Sequence, residues 1–205
     1  MLLEGYRLVR QVVDAATVDS LRACALGHGQ RDILRREPRI ADLTRLPAIR
    51  ALVEDALSVQ ARPISGIWFD KAPEANWWVP WHRDEHVPTT RFHAEGWGPW
   101  REKDGVPHVI CPEPWRSRRI ALRFHLDDAD ATQGTLEVAP GSHLETGGEP
   151  QGETRVIEVQ AGDVLVLHPL ILHRSRPAEQ PRHRRVIHIE WCDLPLPDGG
   201  QWLES

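Results

Sequence analysis

The sequence predicts a mainly β protein with a helical N-terminal layer, folded as a jelly roll. Two observations carry this reading. The hydrophobic period changes from helical to strand-like near residue 60, and beyond that point short apolar runs alternate with Gly and Pro turns. At 205 residues, 40% hydrophobic and 27% charged, the chain has the size and composition of one soluble domain with a proper core. We therefore expect a single domain over residues 1–205. Residues 1–60 form its helical layer and 61–192 its β core, with a lid-like insertion over 85–117.

The elements follow in order. "TVDSLRACALGHG" offers Thr17 as an N-cap, an apolar stripe of Val18, Leu21, Cys24 and Ala25, and Gly27 as a stop. "LPAIRALVEDALS" places Pro47 in a first helical turn, with Ile49, Leu52, Val53, Ala56 and Leu57 at helical spacing. The strand candidates are "ISGIWFD", "WWVPWHRD", "PHVIC", "RRIALRFHLDD", "TLEVAP", "RVIEV", "DVLVLHP", "LILHRS" and "RRVIHIEWC". No crossover helices separate them, which favours a sandwich over a parallel sheet. Residues 85–117 show little regular pattern outside "PHVIC", and long insertions of this kind commonly cover functional sites.

Composition narrows the function. A formal charge of -5 argues against nucleic acid as a partner. The longest apolar run, "VLVLHPLIL", is too short to span a membrane. The opening "MLLEGYRLVRQVVDAA" carries acidic residues and no long apolar core, unlike a secretory signal. Cys24, Cys111 and Cys192 are odd in number and widely spaced, so neither a disulfide framework nor a zinc ribbon is expected, and a cytoplasmic location is. Seven of the nine Trp fall within residues 68–115, a clustering that suits a cavity wall or lid. Trp78, Trp81 and Trp100 are candidates to wall a pocket; each fits a core position equally well.

"WHRDEH", residues 81–86, concentrates ionisable groups. On an extended strand, residues two apart share a face, roughly 6.6 Å apart. His82 and Asp84 can thus present an imidazole and a carboxylate to one metal ion while Arg83 points away. A second His would complete the facial triad of non-haem iron sites. His173 stands out for its company in "GDVLVLHPLILHRSRPAEQPRHRRVIHIEW": Ser175 lies two residues on, and Arg184 on the returning strand. If Arg184 faces inward, Val186 and His188 do too.

Together, "FDKAPEANWWVPWHRD", "GWGPWREKDGVPHV", "LRFHLDDADATQGTLEVAPGSH" and "GDVLVLHPLILHRSRP" followed by "RR" resemble the phytanoyl-CoA dioxygenase family of iron(II)- and 2-oxoglutarate-dependent oxygenases. The resemblance covers about residues 64–191. It implies a double-stranded β-helix, the cupin-like form of the jelly roll, with His82, Asp84 and His173 on Fe(II). Arg184 would bind the distal carboxylate of 2-oxoglutarate beside the Ser175 hydroxyl, a task that suits the planar, permanently charged guanidinium. O2 is then the second co-substrate and a small molecule the prime one. The implied reaction hydroxylates an unactivated C–H bond and releases succinate and CO2. Retention of Asp84 favours hydroxylation over halogenation, because halogenating relatives replace that carboxylate.

Lys71, in "FDKAP", is either a further anchor for a carboxylate or a surface Lys. Arg123 sits among apolar strand neighbours, so it needs a partner: a substrate or a structural counter-ion. Two positions depart from the family pattern, Arg83 where relatives often carry Gln and Ala178 where many carry Asn. The rival classes are a cupin-type metal enzyme that does not use 2-oxoglutarate and a non-catalytic jelly-roll binding module. The first would need no anchor such as Arg184 and Ser175, and the intact triad argues against the second.

Overall fold

The computed structural model describes residues 2–204. Eight strands build the core: β2 (Arg62–Lys71), β3 (Val79–His82), β7 (Arg119–His125), β8 (Leu136–Val138), β9 (Arg155–Val156), β10 (Val164–Leu167), β11 (His173–Ser175) and β12 (Arg184–Cys192). They divide between two antiparallel sheets. The major sheet has the order β1-β10-β7-β12-β2, where β1 is Tyr6–Val9, and the minor sheet has the order β3-β11-β8-β9. Apart from the neighbouring pair β8 and β9, consecutive core strands thus step between sheets, which is the winding of a double-stranded β-helix and the jelly roll that the sequence predicts.

Period-2 alternation sorts the side chains of the major sheet. Ile120, Leu122, Phe124, Val164, Val166, Ile187, Ile189 and Trp191 pack into the core beneath the helices. Their neighbours Ala121, Leu165 and Leu167 face the minor sheet, packing with Leu136, Val138 and Ile171. The helical layer comprises α1 (Ala15–Arg22), α2 (Ile33–Arg36), α3 (Pro38–Leu43) and α4 (Pro47–Ala56). It contributes Val18, Leu21, Ile33, Ile40, Ile49 and Val53 to the first core. Pro47 opens α4 as expected. The cap of α1 lies three residues earlier than expected. Asp14 accepts from the Thr17 N–H at 2.8 Å, so Thr17 is inside the helix. Ala25 is exposed, outside the stripe.

Two regions differ from their sequence-based expectation. The first sixty residues are not wholly helical, because "YRLV" forms β1 along the edge strand β10. Residues 85–117 hold a third sheet, β4 (His86–Pro88), β5 (Trp100–Lys103) and β6 (Val106–Ile110), in the order β4-β6-β5. Val87, Val109 and Cys111 anchor it against Ile64, Cys192 and Trp202. The three cysteines are free and buried, and among the described residues no helix is long and apolar enough to cross a membrane.

Candidate active site

The register of β3 on β11 sets His82 directly opposite His173, with ring centroids 4.1 Å apart. Each Nδ1 lies 2.9 Å from the carbonyl two residues back, Pro80 for His82 and Ile171 for His173. A carbonyl only accepts, so each Nδ1 carries the proton and each Nε2 is left with a free lone pair. Metal-binding histidines are oriented by this kind of bond. Asp84 follows β3 and is fixed by its backbone: its N–H donates to Pro169 O at 2.8 Å, and Arg119 Nη2 donates to its carbonyl at 2.9 Å. Its carboxylate oxygens lie 3.7 Å from His82 Nε2 and 3.5 Å from His173 Nε2. The three ligand atoms fall within 4.8 Å of one another. Two neutral imidazoles and a carboxylate on one side of a point suit a divalent transition metal with open positions on the other side.

The electrostatics favour that state. Burial drives His173 down to about 3, so its imidazole is neutral. Burial also opposes the charge on Asp84, but His173, His188, His82 and Arg123 together hold its carboxyl well below the usual range. Arg83 points away, as strand alternation predicts. Its guanidinium donates to the Ser142, Leu170, Glu145 and Gly147 carbonyls, which ties the end of β3 to the loops after β8 and β10. This explains how a cation can occupy the position between the two ligands.

Farther into the same cavity, Ser175 and Arg184 line the wall, and Lys71 meets them without lining it. Arg184 and Lys71 are partners across β12 and β2. Lys71 Nζ donates to Ser175 Oγ at 3.0 Å and Arg184 Nη2 donates to the same oxygen at 3.2 Å, while Ser175 donates to Gly134 O at 2.8 Å. Both cations are buried, and Arg184 Nε has no partner among the described residues. Burial, with the charge of Arg184 adding to it, lowers Lys71 to about 7. Burial, with the charge of Arg123 adding to it, lowers Arg184 to about 9. Two buried cations around one neutral hydroxyl form a site in need of a carboxylate. Gly134 makes the approach possible: it has φ +60°, and a Cβ there would lie 2.1 Å from Arg176 O.

The cavity of about 170 Å³ that holds the metal ligands, Ser175 and Arg184 is lined by residues from both sheets and from the 85–117 sheet. Arg123 reaches it as the sequence allowed. Of the expected Trp residues, none lines it. Trp78 is 65% exposed, Trp100 packs on Phe92, and Trp81 lies under Arg174, lining an adjoining groove. The wall is instead Trp77, the neighbour of Trp78, stacked on His28 at 3.5 Å between centroids. Sequence reasoning also missed Glu190, which pairs with Arg119 at 2.8 Å, and Lys103 and His108 on the small sheet. For Glu190 a signal existed, since it continues the inward alternation of Arg184 and His188.

A jelly roll bearing His-x-Asp, a distal His and a buried carboxylate anchor has the architecture of a non-haem metal oxygenase. The sequence matches the phytanoyl-CoA dioxygenase (PhyH) family over residues 2–186, and the chain belongs to that family. Among solved structures it is similar to HygX from Streptomyces hygroscopicus with nickel, 2-oxoglutarate and hygromycin B bound. That likeness has a TM-score of 0.67 and 16% identity, covering 93% of this chain and 83% of HygX. It is similar also to SnoN, a non-haem α-ketoglutarate-dependent epimerase from nogalamycin biosynthesis (TM-score 0.69, 18% identity, 93% and 78% covered). AviO1 from Streptomyces viridochromogenes Tue57 is a third (TM-score 0.66, 22% identity, 96% and 93% covered). Among curated proteins no sequence match is found.

Proposed function

We propose that the chain is an iron(II)- and 2-oxoglutarate-dependent dioxygenase that hydroxylates an unactivated C–H bond of a small molecule, releasing succinate and CO2. The observation that carries the proposal is the cross-strand pairing of His82 with His173, both Nδ1 tied to carbonyls and both Nε2 facing Asp84. Iron(II), when bound, supplies the redox centre that couples O2 reduction to oxidation of 2-oxoglutarate. The chain's own residues do the rest. His82, Asp84 and His173 hold the metal from one side and leave the other open. Arg184 and Lys71 take the far carboxylate of 2-oxoglutarate, and Ser175 holds the two cations in position before it arrives. Ile67, Phe69, Val79 and Leu136 line the cavity with apolar surface, which limits water beside the reacting centre.

The fold alone does not choose the outcome, since SnoN is an epimerase on a similar frame. Hydroxylation is favoured by the retained Asp84 carboxylate, which occupies the position a halide would need. The anchor formed by Lys71, Ser175 and Arg184 favours 2-oxoglutarate dependence over a cupin-type reaction without it.

The test is anaerobic titration of iron(II) and 2-oxoglutarate, read by the weak visible charge-transfer band of the chelate. Wild type gives the band, His173→Ala does not, and Arg184→Ala needs at least about tenfold more 2-oxoglutarate to reach it. Absence of the band in wild type contradicts the proposal.

A further inference from the structure

The charges lining the cavity divide into those with partners and those without. Glu85 pairs with Arg116 at 2.9 Å, Glu190 with Arg119 at 2.8 Å, Arg31 with Asp104 at 3.1 Å and Arg174 with Glu137 at 2.7 Å. Arg184 belongs to the co-substrate end. Arg83 has no carboxylate partner either, but its guanidinium is taken up by the Ser142, Leu170, Glu145 and Gly147 carbonyls. Among the described residues Arg123 and Lys103 then remain with neither a carboxylate partner nor such a set of carbonyls.

Arg123 is only 7% exposed. Its Nη1 donates to His188 Nδ1 at 3.1 Å, its guanidinium lies 5.5 Å from the centre of the Phe69 ring, and its Nε has no partner among the described residues. Neither neighbour carries a full negative charge, and a guanidinium does not escape burial by losing its proton. Lys103 is half-buried at the end of β5, on the sheet that covers the cavity. Nearby on β4, His86 Nε2 is buried and unpartnered.

The bound metal and co-substrate would not supply the missing negative charge. One carboxylate of 2-oxoglutarate is matched by Arg184. The other, together with Asp84, balances a divalent ion. Arg123 and Lys103 are left over, in a cavity whose other charged side chains have partners of their own.

We propose that the prime substrate is a small carboxylic acid, bound as the anion, with its carboxylate held by Arg123 from the floor of the cavity and by Lys103 from the covering sheet. This rests on the 2-oxoglutarate reading above and deepens it by naming the substrate class. A buried Arg and a flexible Lys on opposite walls suit a carboxylate that enters past β5 and docks against the planar guanidinium. The acid shares the cavity of about 170 Å³ with the metal and 2-oxoglutarate, which restricts it to a small molecule. Arg123 and Lys103 are specificity residues in this account; neither ligates the metal.

The test is calorimetric titration of the full chain, loaded with nickel(II) and 2-oxoglutarate, with matched pairs of probes. The pairs are propanoate and propanamide, benzoate and benzamide, and cyclohexanecarboxylate and cyclohexanecarboxamide. Binding of 2-oxoglutarate to the nickel-loaded chain is measured first. Its failure refutes the co-substrate reading and is thereby distinguished from failure of the present one. Given that binding, at least one acid binds about tenfold or more tightly than its amide. Lys103→Gln and Arg123→Gln each weaken that acid about tenfold, and weaken 2-oxoglutarate by less than about threefold. Lys103 is half-buried and its replacement tests the proposal even where Arg123→Gln does not fold. Acids and amides that bind alike, or no binding by any acid, overturn the proposal. So does a variant pattern in which 2-oxoglutarate is weakened more than the acid, since that assigns these cations to the co-substrate.

Discussion

Replacing Lys71 by Met should stabilise the empty protein while weakening its co-substrate, and the two effects have one cause. Lys71 is fully buried beside Arg184, and its ammonium is lowered from 10.5 to about 7 by burial first and then by that neighbouring charge. In the unfolded chain the group binds its proton up to its ordinary value, so between about 7 and 10.5 the unfolded state binds more protons. At neutral pH the difference corresponds to at most about 4–5 kcal/mol against folding. Water in the cavity relaxes part of this, and the bonds to Ser175 Oγ and Arg176 O offset more. A net gain of about 1–3 kcal/mol is expected for Lys71→Met. The gain is greatest at or below pH 7, where both states are protonated, and shrinks as pH rises toward 10.5. Urea unfolding of the metal-free protein at pH 6 and pH 9 reads it. The same variant loses a charge-assisted contact of about 1.5–3 kcal/mol to the distal carboxylate, hence about 10–100-fold in 2-oxoglutarate affinity. A variant less stable than wild type at pH 6, with its co-substrate affinity intact, would show Lys71 to be a structural strut and refute the reasoning.

Two further outcomes follow from buried contacts. Arg119→Met strands Glu190 and releases the Asp84 carbonyl, so unfolding midpoints should fall by the equivalent of about 3–5 kcal/mol, with metal affinity reduced in parallel. Gly134→Ala places a methyl on Arg176 O at a left-handed backbone position. We expect a loss of about 2 kcal/mol or more in denaturant titration, and weaker 2-oxoglutarate binding because the Ser175 Oγ bond to Gly134 O is disturbed.

The site was legible in the sequence because its residues obey strand alternation. His82 with Asp84, His173 with Ser175, and Arg184 with His188 each sit two or four apart, and that spacing alone puts them on a shared face. Alternation does not say which sheet faces which, so the meeting of Lys71 with Arg184 was open until the β2–β12 register was known. Trp77 and Trp78 show the limit from the other side. Adjacent residues point to opposite faces, and composition cannot choose between them. The strand "YRLV" was hidden for a different reason: four residues carry too little period, and this run becomes a strand by pairing with β10. The small sheet over residues 85–117 is broken by Pro and Gly, and its strands owe their order to the cluster around Ile64 and Trp202. Asp14 and Thr17 are both good caps, and only the helix start separates them.

The measurement that tests the central claim most directly is succinate formation from 2-oxoglutarate with iron(II), ascorbate and O2, even without the prime substrate. Wild type is expected to produce succinate slowly, Asp84→Ala to abolish it through the metal, and Arg184→Ala to lose it at 2-oxoglutarate concentrations that just saturate wild type, through the anchor. Wild type that neither forms succinate nor binds 2-oxoglutarate, or an Arg184→Ala variant as active as wild type, would contradict the account.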